Sequence, residues 1–167
     1  RGFEERSAPL MQQSGLPAAI ILADLDAFKS INDTHGHDTG DQVIIAFARL
    51  MRDSAPPTAI VGRLGGEEFA ILLPEANIAT ARLLAETLRV GLAALQIPGL
   101  PIYARCTAGF RIAERMAAES LTDLRRRADS ALYNAKRAGR DRVIAAIPDA
   151  DAMPTHPLAG TSLARSA

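Results

Sequence analysis

Four carboxylates stand where two apolar runs end. Asp24 and Asp26 close the run Ala18-Ala19-Ile20-Ile21-Leu22-Ala23, and Glu67 and Glu68 follow directly on Gly65-Gly66. Those glycines lie between Ala59-Ile60-Val61 and Phe69-Ala70-Ile71-Leu72-Leu73, so the pattern predicts two strands joined by a two-residue Gly-Gly loop. Tight hairpin turns need positive φ, which glycine adopts without steric cost. Adjacent acids at the mouth of an apolar strand repel each other, and a cation would remove that repulsion. Oxygen-rich carboxylate sites are what Mg2+ prefers, and paired metals of this kind drive displacement at phosphorus. Successive residues of a strand face opposite ways, which favours Glu67 over Glu68 as the ligand shared with Asp24. The competing reading is a solvated turn with acidic ends.

The surrounding elements decide whether these carboxylates meet. Residues 2–14 suggest a short amphipathic helix around Phe3, Leu10 and Met11. Residues 18–25 read as a central strand buried on both faces. Asp26 to Asp38 is polar and glycine-containing, a loop or a short helix plus loop. Val43, Ile44, Phe47, Leu50 and Met51 recur at helical spacing over 40–52. The hairpin spans 59–73. A helix runs from 78 to 95, a strand from 102 to 112, a helix from 120 to 138 and a last strand from 143 to 147. Ser120 and Asp123 suit a capping box, and Gly139 the far cap. The order β-α-β-β-α-β followed by α-β matches a ferredoxin-like α+β core, a central antiparallel sheet flanked by helices. In that arrangement the first strand and the hairpin pair in mid-sheet, which brings Asp24 beside the Gly65-Gly66 turn.

The chain has 167 residues, 48% of them apolar and 23% charged, with 19 acidic and 19 basic side chains and no net charge. That fits one globular domain over residues 1–147. A balanced charge argues against a general nucleic-acid or membrane-surface binder. The lone Cys106 reads as a buried, inert thiol. No apolar run reaches membrane-spanning length. The sequence opens at Arg1 in structured-looking sequence, which suggests a piece of something longer. Residues 148–167, rich in Ala, Ser, Thr and Pro, read as a disordered tail.

Asp24-Leu25-Asp26-Ala27-Phe28-Lys29-Ser30-Ile31-Asn32-Asp33, then Gly36-His37-Asp38-Thr39-Gly40-Asp41, then Arg63-Leu64-Gly65-Gly66-Glu67-Glu68-Phe69, then Ala131-Leu132-Tyr133-Asn134-Ala135-Lys136-Arg137-Ala138-Gly139-Arg140 occur in this order. In that order and spacing they resemble a GGDEF domain of the diguanylate cyclase family. The resemblance covers about residues 1–147 and implies a fold like the palm of nucleotidyl cyclases and polymerases. It implies that two GTP are condensed to cyclic di-GMP with release of two pyrophosphates, a nucleotidyl transfer that makes a bacterial second messenger. It implies Mg2+, with Mn2+ able to substitute, held by Asp24, the Leu25 backbone carbonyl, Glu67 and Glu68. Glu67 is also implied as the base for the attacking 3′-hydroxyl. Asn32 and Asp41 match the guanine-reading pair, with His37 lining the pocket or, equally, tied to backbone as a loop histidine. Phe28 and Lys29 fall where a loop would wrap triphosphate, and Lys136 and Arg140 are placed on the triphosphate as well. Arg125-Arg126-Arg127 reads as a solvated face.

The chain departs from the family at its product-binding inhibitory site, an Arg-x-x-Asp motif shortly before the hairpin. Pro56-Pro57-Thr58-Ala59 stands there, with Pro56 and Ala59 in place of Arg and Asp, so that site is expected to be lost. The family's lead-in segment and the upstream sensory module are not in this sequence. The reading is therefore a cytoplasmic catalytic domain, or the cytoplasmic part of a larger membrane-anchored protein. It would work as a transient homodimer, with cyclic di-GMP as product and active-site inhibitor. The alternative is an inactive GGDEF domain that binds GTP or cyclic di-GMP as sensor or scaffold. A cyclase accepting ATP is disfavoured by Asp41.

Overall fold

A computed structural model describes residues 2–13, 15–102, 104–135 and 140–146, with only the backbone for 131–135. Ten elements follow in order: α1 (Gly2–Gln12), β1 (Ala18–Leu25), α2 (Phe28–His35), α3 (His37–Ser54), β2 (Ile60–Gly65), β3 (Glu68–Pro74), α4 (Ile78–Ala94), β4 (Ala108–Glu114), α5 (Leu121–Ala135) and β5 (Val143–Ala145). The sheet order is β2-β3-β1-β4-β5. Its first four strands form the antiparallel ferredoxin-like core, and β5 adds parallel to β4. The α+β architecture expected from the element order is the one observed.

β1 is central because it can be buried on both sides, as the continuous run Ala18-Ala19-Ile20-Ile21-Leu22-Ala23 requires. Its odd residues join Phe47, Met51, Leu88 and Leu92 in the core layer under α3 and α4. Its even residues Ala18, Ile20 and Leu22 join Phe3, Leu124 and Ala128 under α1 and α5. Phe47 sets its ring edge-on to Phe69, 5.0 Å away, and to Phe110, 6.2 Å away, anchoring α3 to β3 and β4. Half of the capping box expected for α5 forms, with the Asp123 carboxylate accepting from the Ser120 hydroxyl rather than from the Ser120 amide. The Asp123 amide donates to the Ser120 hydroxyl (3.1 Å), which in turn donates to the Asp123 carboxylate (2.7 Å).

Of the two alternatives for the polar stretch after β1, the short helix forms, over Phe28–His35. The structure corrects three other boundaries and surfaces. The strand expected from residue 102 begins only at Ala108, the partner of Leu25. Upstream, Ile102 is 82% exposed, where no strand of the sheet remains to pair with it. The hairpin turns on Gly66-Glu67, because a register shift between Arg63 and Gly65 moves the tip by one residue. Arg125-Arg126-Arg127 is no simple solvated face. Arg125 pairs with Glu4 (2.8 Å), and half-buried Arg127 pairs with Glu119 (2.8 Å) and donates to the Glu114 carbonyl. The expected cap at Gly139, the residues Lys136 to Ala138 and the tail 148–167 lie outside the described residues.

Candidate functional site

The site grows from the end of β1. Asp24 stands directly opposite Glu68 of β3 on one side and Gly109 of β4 on the other. Directly opposed residues of an antiparallel pair project to the same face, so Asp24 and Glu68 share the face that carries α1 and α5. Glu67 sits at the hairpin apex, and its carbonyl accepts from the Leu25 amide at 3.2 Å. That bond seats the tip against the end of β1. Gly66 takes φ +40°, the backbone a turn at this place needs. Arg63 fixes the tip from the other strand, donating through both Nε (2.9 Å) and a terminal nitrogen (2.6 Å) to the Gly66 carbonyl.

The sequence expectation that Glu67 and Glu68 alternate across a strand does not describe this geometry. Glu67 is in the turn, and Glu68 is the strand residue that faces Asp24. The carboxyl of Asp24 is held above its ordinary value. Burial is the first cause, and the charges of Glu67, Glu68 and Asp26 add to it, while the Arg111 guanidinium opposes them. Mutual repulsion among hard oxygen donors is what a divalent cation relieves, so this donor set fits one. Asp24, Glu67 and Glu68, with the Leu25 backbone, are the residues that would hold it. Among the described residues, no three acid, His or Cys side chains already stand in metal-holding geometry.

Asp26 does other work. Its carboxylate accepts from the Thr107 hydroxyl (2.8 Å) and from the Asp141 amide (3.0 Å), and its own amide donates to the Thr107 carbonyl (2.8 Å). It ties the end of β1 to the entry of β4 and to the segment leading into β5. Cys106 beside it is buried, and burial, with Asp26 as a lesser cause, pushes its thiol up to about 11. It is therefore a protonated, unreactive thiol at neutral pH.

Beyond β1 the chain turns through Ala27, which takes the left-handed conformation at φ 54° without glycine's freedom. α2 starts there with no side-chain cap, leaving its first amides open to a ligand. The Phe28 ring is packed in the core, so at that residue only the backbone faces the loop, while Lys29 is exposed. Asn32 lies over Gly40, where an added Cβ would overlap its amide oxygen. Asp41, the residue after Gly40 in the first turns of α3, is exposed. His37, the first residue of α3, is exposed, and Thr39 is tied back to the His35 carbonyl at 2.8 Å. Arg140 is exposed, and Lys136 lies outside the described residues.

Pro56 and Ala59 close a short turn after α3, with the Ala59 amide bonded to the Pro56 carbonyl at 2.9 Å. They border a groove of about 590 Å³ whose cations come from elsewhere: Arg6, Arg49, Arg52 and Arg63.

Two residues that matter to the site escaped the sequence reading. Arg111, in mid-strand, is buried and pairs with Asp129 of α5 at 3.1 Å. The available signal was a lone charge inside the apolar run Phe110 to Ala113. Arg63, though inside a motif already quoted, gave no hint that it would clamp the turn.

The family described as "Diguanylate cyclase, GGDEF domain" matches residues 1–142. Diguanylate cyclase DgcM of Escherichia coli is 46% identical over 128 residues, covering 77% of this chain and 30% of that protein. Diguanylate cyclase VdcA of Vibrio cholerae is 36% identical over 134 residues, covering 78% of this chain and 40% of the relative. The chain thus spans well under half the length of these curated relatives. The GGDEF domain of DgcB from Caulobacter crescentus, solved in complex with c-di-GMP, superposes with a TM-score of 0.76 at 35% identity, covering 84% of each chain. The active GGEEF domain of a diguanylate cyclase from Vibrio cholerae gives 0.72 at 34%, covering 88% of this chain and 91% of that one. Diguanylate cyclases of this family depend on a divalent metal. Fold, motif order and relatives agree, and the chain belongs to the GGDEF domain family of diguanylate cyclases.

Proposed function

We propose that this chain is a catalytic GGDEF domain that joins two GTP into cyclic di-GMP, releasing two pyrophosphates. The observation that carries the reading is the convergence at the end of β1. Asp24 is opposed by Glu68, and the Leu25 amide is bonded to the Glu67 carbonyl at the hairpin tip. In this reading Asp24, Glu67, Glu68 and the Leu25 carbonyl hold Mg2+, or Mn2+ in its place. The metal supplies charge neutralisation at the phosphates and a lowered pKa for the attacking hydroxyl. Glu67 takes the proton from the 3′-hydroxyl as it attacks the α-phosphorus of the other GTP. The open amides at the start of α2, with Lys29, Lys136 and Arg140, hold the triphosphate. Asp41 accepts from guanine N1–H and the 2-amino group together, with Asn32 beside it, whereas adenine would present an acceptor at N1. His37 borders the same pocket. The product is two-fold symmetric, so two loaded domains must face each other about a two-fold axis.

Product would compete with GTP for these same contacts. Pro56 and Ala59 give none of the charge-assisted bidentate bonds that the family's inhibitory motif would provide.

A second reading is a domain that binds GTP or cyclic di-GMP without turnover. It draws only on the uncapped start of α2 and on Asn32 and Asp41, which would hold a guanine nucleotide whether or not turnover follows. One assay separates the two. Purified chain is incubated with GTP and Mg2+ over a hundredfold range of protein concentration, and cyclic di-GMP is followed by chromatography. Product whose yield per mole rises with protein concentration supports the catalytic reading. Nucleotide binding with no product at any concentration overturns it.

A further inference from the structure

Arg111 stands on β4 opposite Leu22, on the face that carries Asp24 one pleat further along β1. It is buried, an expensive position for a guanidinium unless carboxylates surround it. Asp129 of α5 supplies one at 3.1 Å, yet among the described residues Arg111 Nε finds no hydrogen-bond partner. The β4 residue opposite Asp24 is Gly109, and a Cβ added there would meet nothing within 4 Å. The space beside Asp24 on that strand is therefore open, with the arginine next along the same face. Among the described residues, Arg111 is the cation whose charge opposes the acidic neighbours of Asp24.

We infer that Arg111 is a built-in counter-cation of the Asp24–Glu67–Glu68 carboxylate cluster, latched by Asp129, and that this pair sets how tightly the cluster takes a divalent metal. Arg111 acts through Asp24 and is a positioning residue. Its charge competes with the metal for the same carboxylates. Asp129 tempers the competition by holding the guanidinium toward α5.

The inference rests on the proposed metal-dependent cyclase reading, and its test separates the two. Mn2+ binding to the full chain is titrated by electron paramagnetic resonance in the presence of α,β-methylene GTP, which cannot release pyrophosphate. Thermal melts check the fold of each variant. Arg111→Met, which fills the same space without charge, should tighten Mn2+ binding by about three- to tenfold, as removal of a nearby like charge at a half-exposed site would do. Asp129→Asn frees the guanidinium and should weaken it by about threefold. Arg111→Lys keeps the charge and should stay within about twofold of the unaltered chain. A purely structural arginine would weaken binding in all variants or in none, so the opposite signs are the signature. If Arg111→Met does not fold, tighter or unchanged binding in Asp129→Asn overturns the inference. Mn2+ binding by the unaltered chain, with both variants shifted the same way or unmoved, overturns the inference alone. An unaltered chain that takes no Mn2+ with the analogue overturns the proposed function with it.

Discussion

The two faces of β1 follow the same backbone and end differently. On the face toward α3 and α4, residues 19, 21, 23 and 25 are all apolar and all buried, out to the strand's last residue. On the face toward α1 and α5, residues 18, 20 and 22 are apolar and buried, and then Asp24 appears, with Glu68 across from it and Arg111 one pleat back. One face remains core to its end. The other changes from core to site within one strand period. Asp24 is thus carried on a strand whose back is clamped by Phe47, Phe69 and Phe110, which is how a charged residue is held in place without neutral packing of its own.

That contrast predicts two kinds of failure. On the charged side, Glu67→Gln should lower cyclic di-GMP formation by about 10²- to 10⁴-fold, the usual range for loss of a positioned base. Its melting temperature should stay near that of the unaltered chain, because the turn apex touches no core. On the apolar side, Phe47→Ala should cost about 3–5 kcal/mol of stability by denaturant titration. The protein that remains folded should keep its turnover per native molecule. A Glu67→Gln protein that turns over normally, or a Phe47→Ala protein of unchanged stability, would erase the distinction between the faces.

A smaller effect is expected where the site leaves the sheet. Asp41→Ala should weaken GTP by an amount equivalent to about 1–3 kcal/mol, the cost of leaving a guanine edge unpaired, and narrow the preference over ATP. Inhibition by cyclic di-GMP should weaken in parallel and remain competitive with GTP. Purely noncompetitive inhibition with full product affinity in Asp41→Ala would point away from the active site. The groove bordered by Arg6, Arg49, Arg52 and Arg63 would be the next place to look.

Much of this was legible in the chain because the signals are local. The run from Ala18 to Leu25 announces a doubly buried strand, Gly65-Gly66 a hairpin, and Ser120 with Asp123 a cap. Helix α2 was ambiguous because Asn32, Asp33, Thr34 and His35 form turns as readily as helix, and only Phe28 and Ile31 reach the core. The beginning of β4 depends on where β1 runs out, a fact of pairing rather than propensity. The hairpin tip moved by one residue through a bulge that no composition encodes. The tie that Asp26 makes at the end of β1 was not legible because its partners, Thr107 and Asp141, are distant in sequence. Arg111 was overlooked because its meaning lies in Asp24 and Asp129, on two other elements.

The smallest effect is also the one that tests the charged face without substrate. Asp24 has a carboxyl raised above its ordinary 3.8, by burial first and by its acidic neighbours next. A raised native pKa means the folded chain holds this proton more tightly than the unfolded one. Between the unfolded value and the raised native value, stability must therefore fall as pH rises, and the loss is complete above the native value. With divalent metal removed by chelator, Asp24→Asn should lack this contribution. Its melting temperature should then gain on the unaltered chain as pH rises from about 4, the unfolded value, through the raised native value. Added Mg2+ should restore the unaltered chain more than the variant, since it removes the repulsion only where the carboxylate remains. Parallel melting curves for the two proteins across that pH range, with equal responses to Mg2+, would mean that Asp24 carries no unrelieved charge. The contrast between the two faces of β1 would then be one of exposure alone.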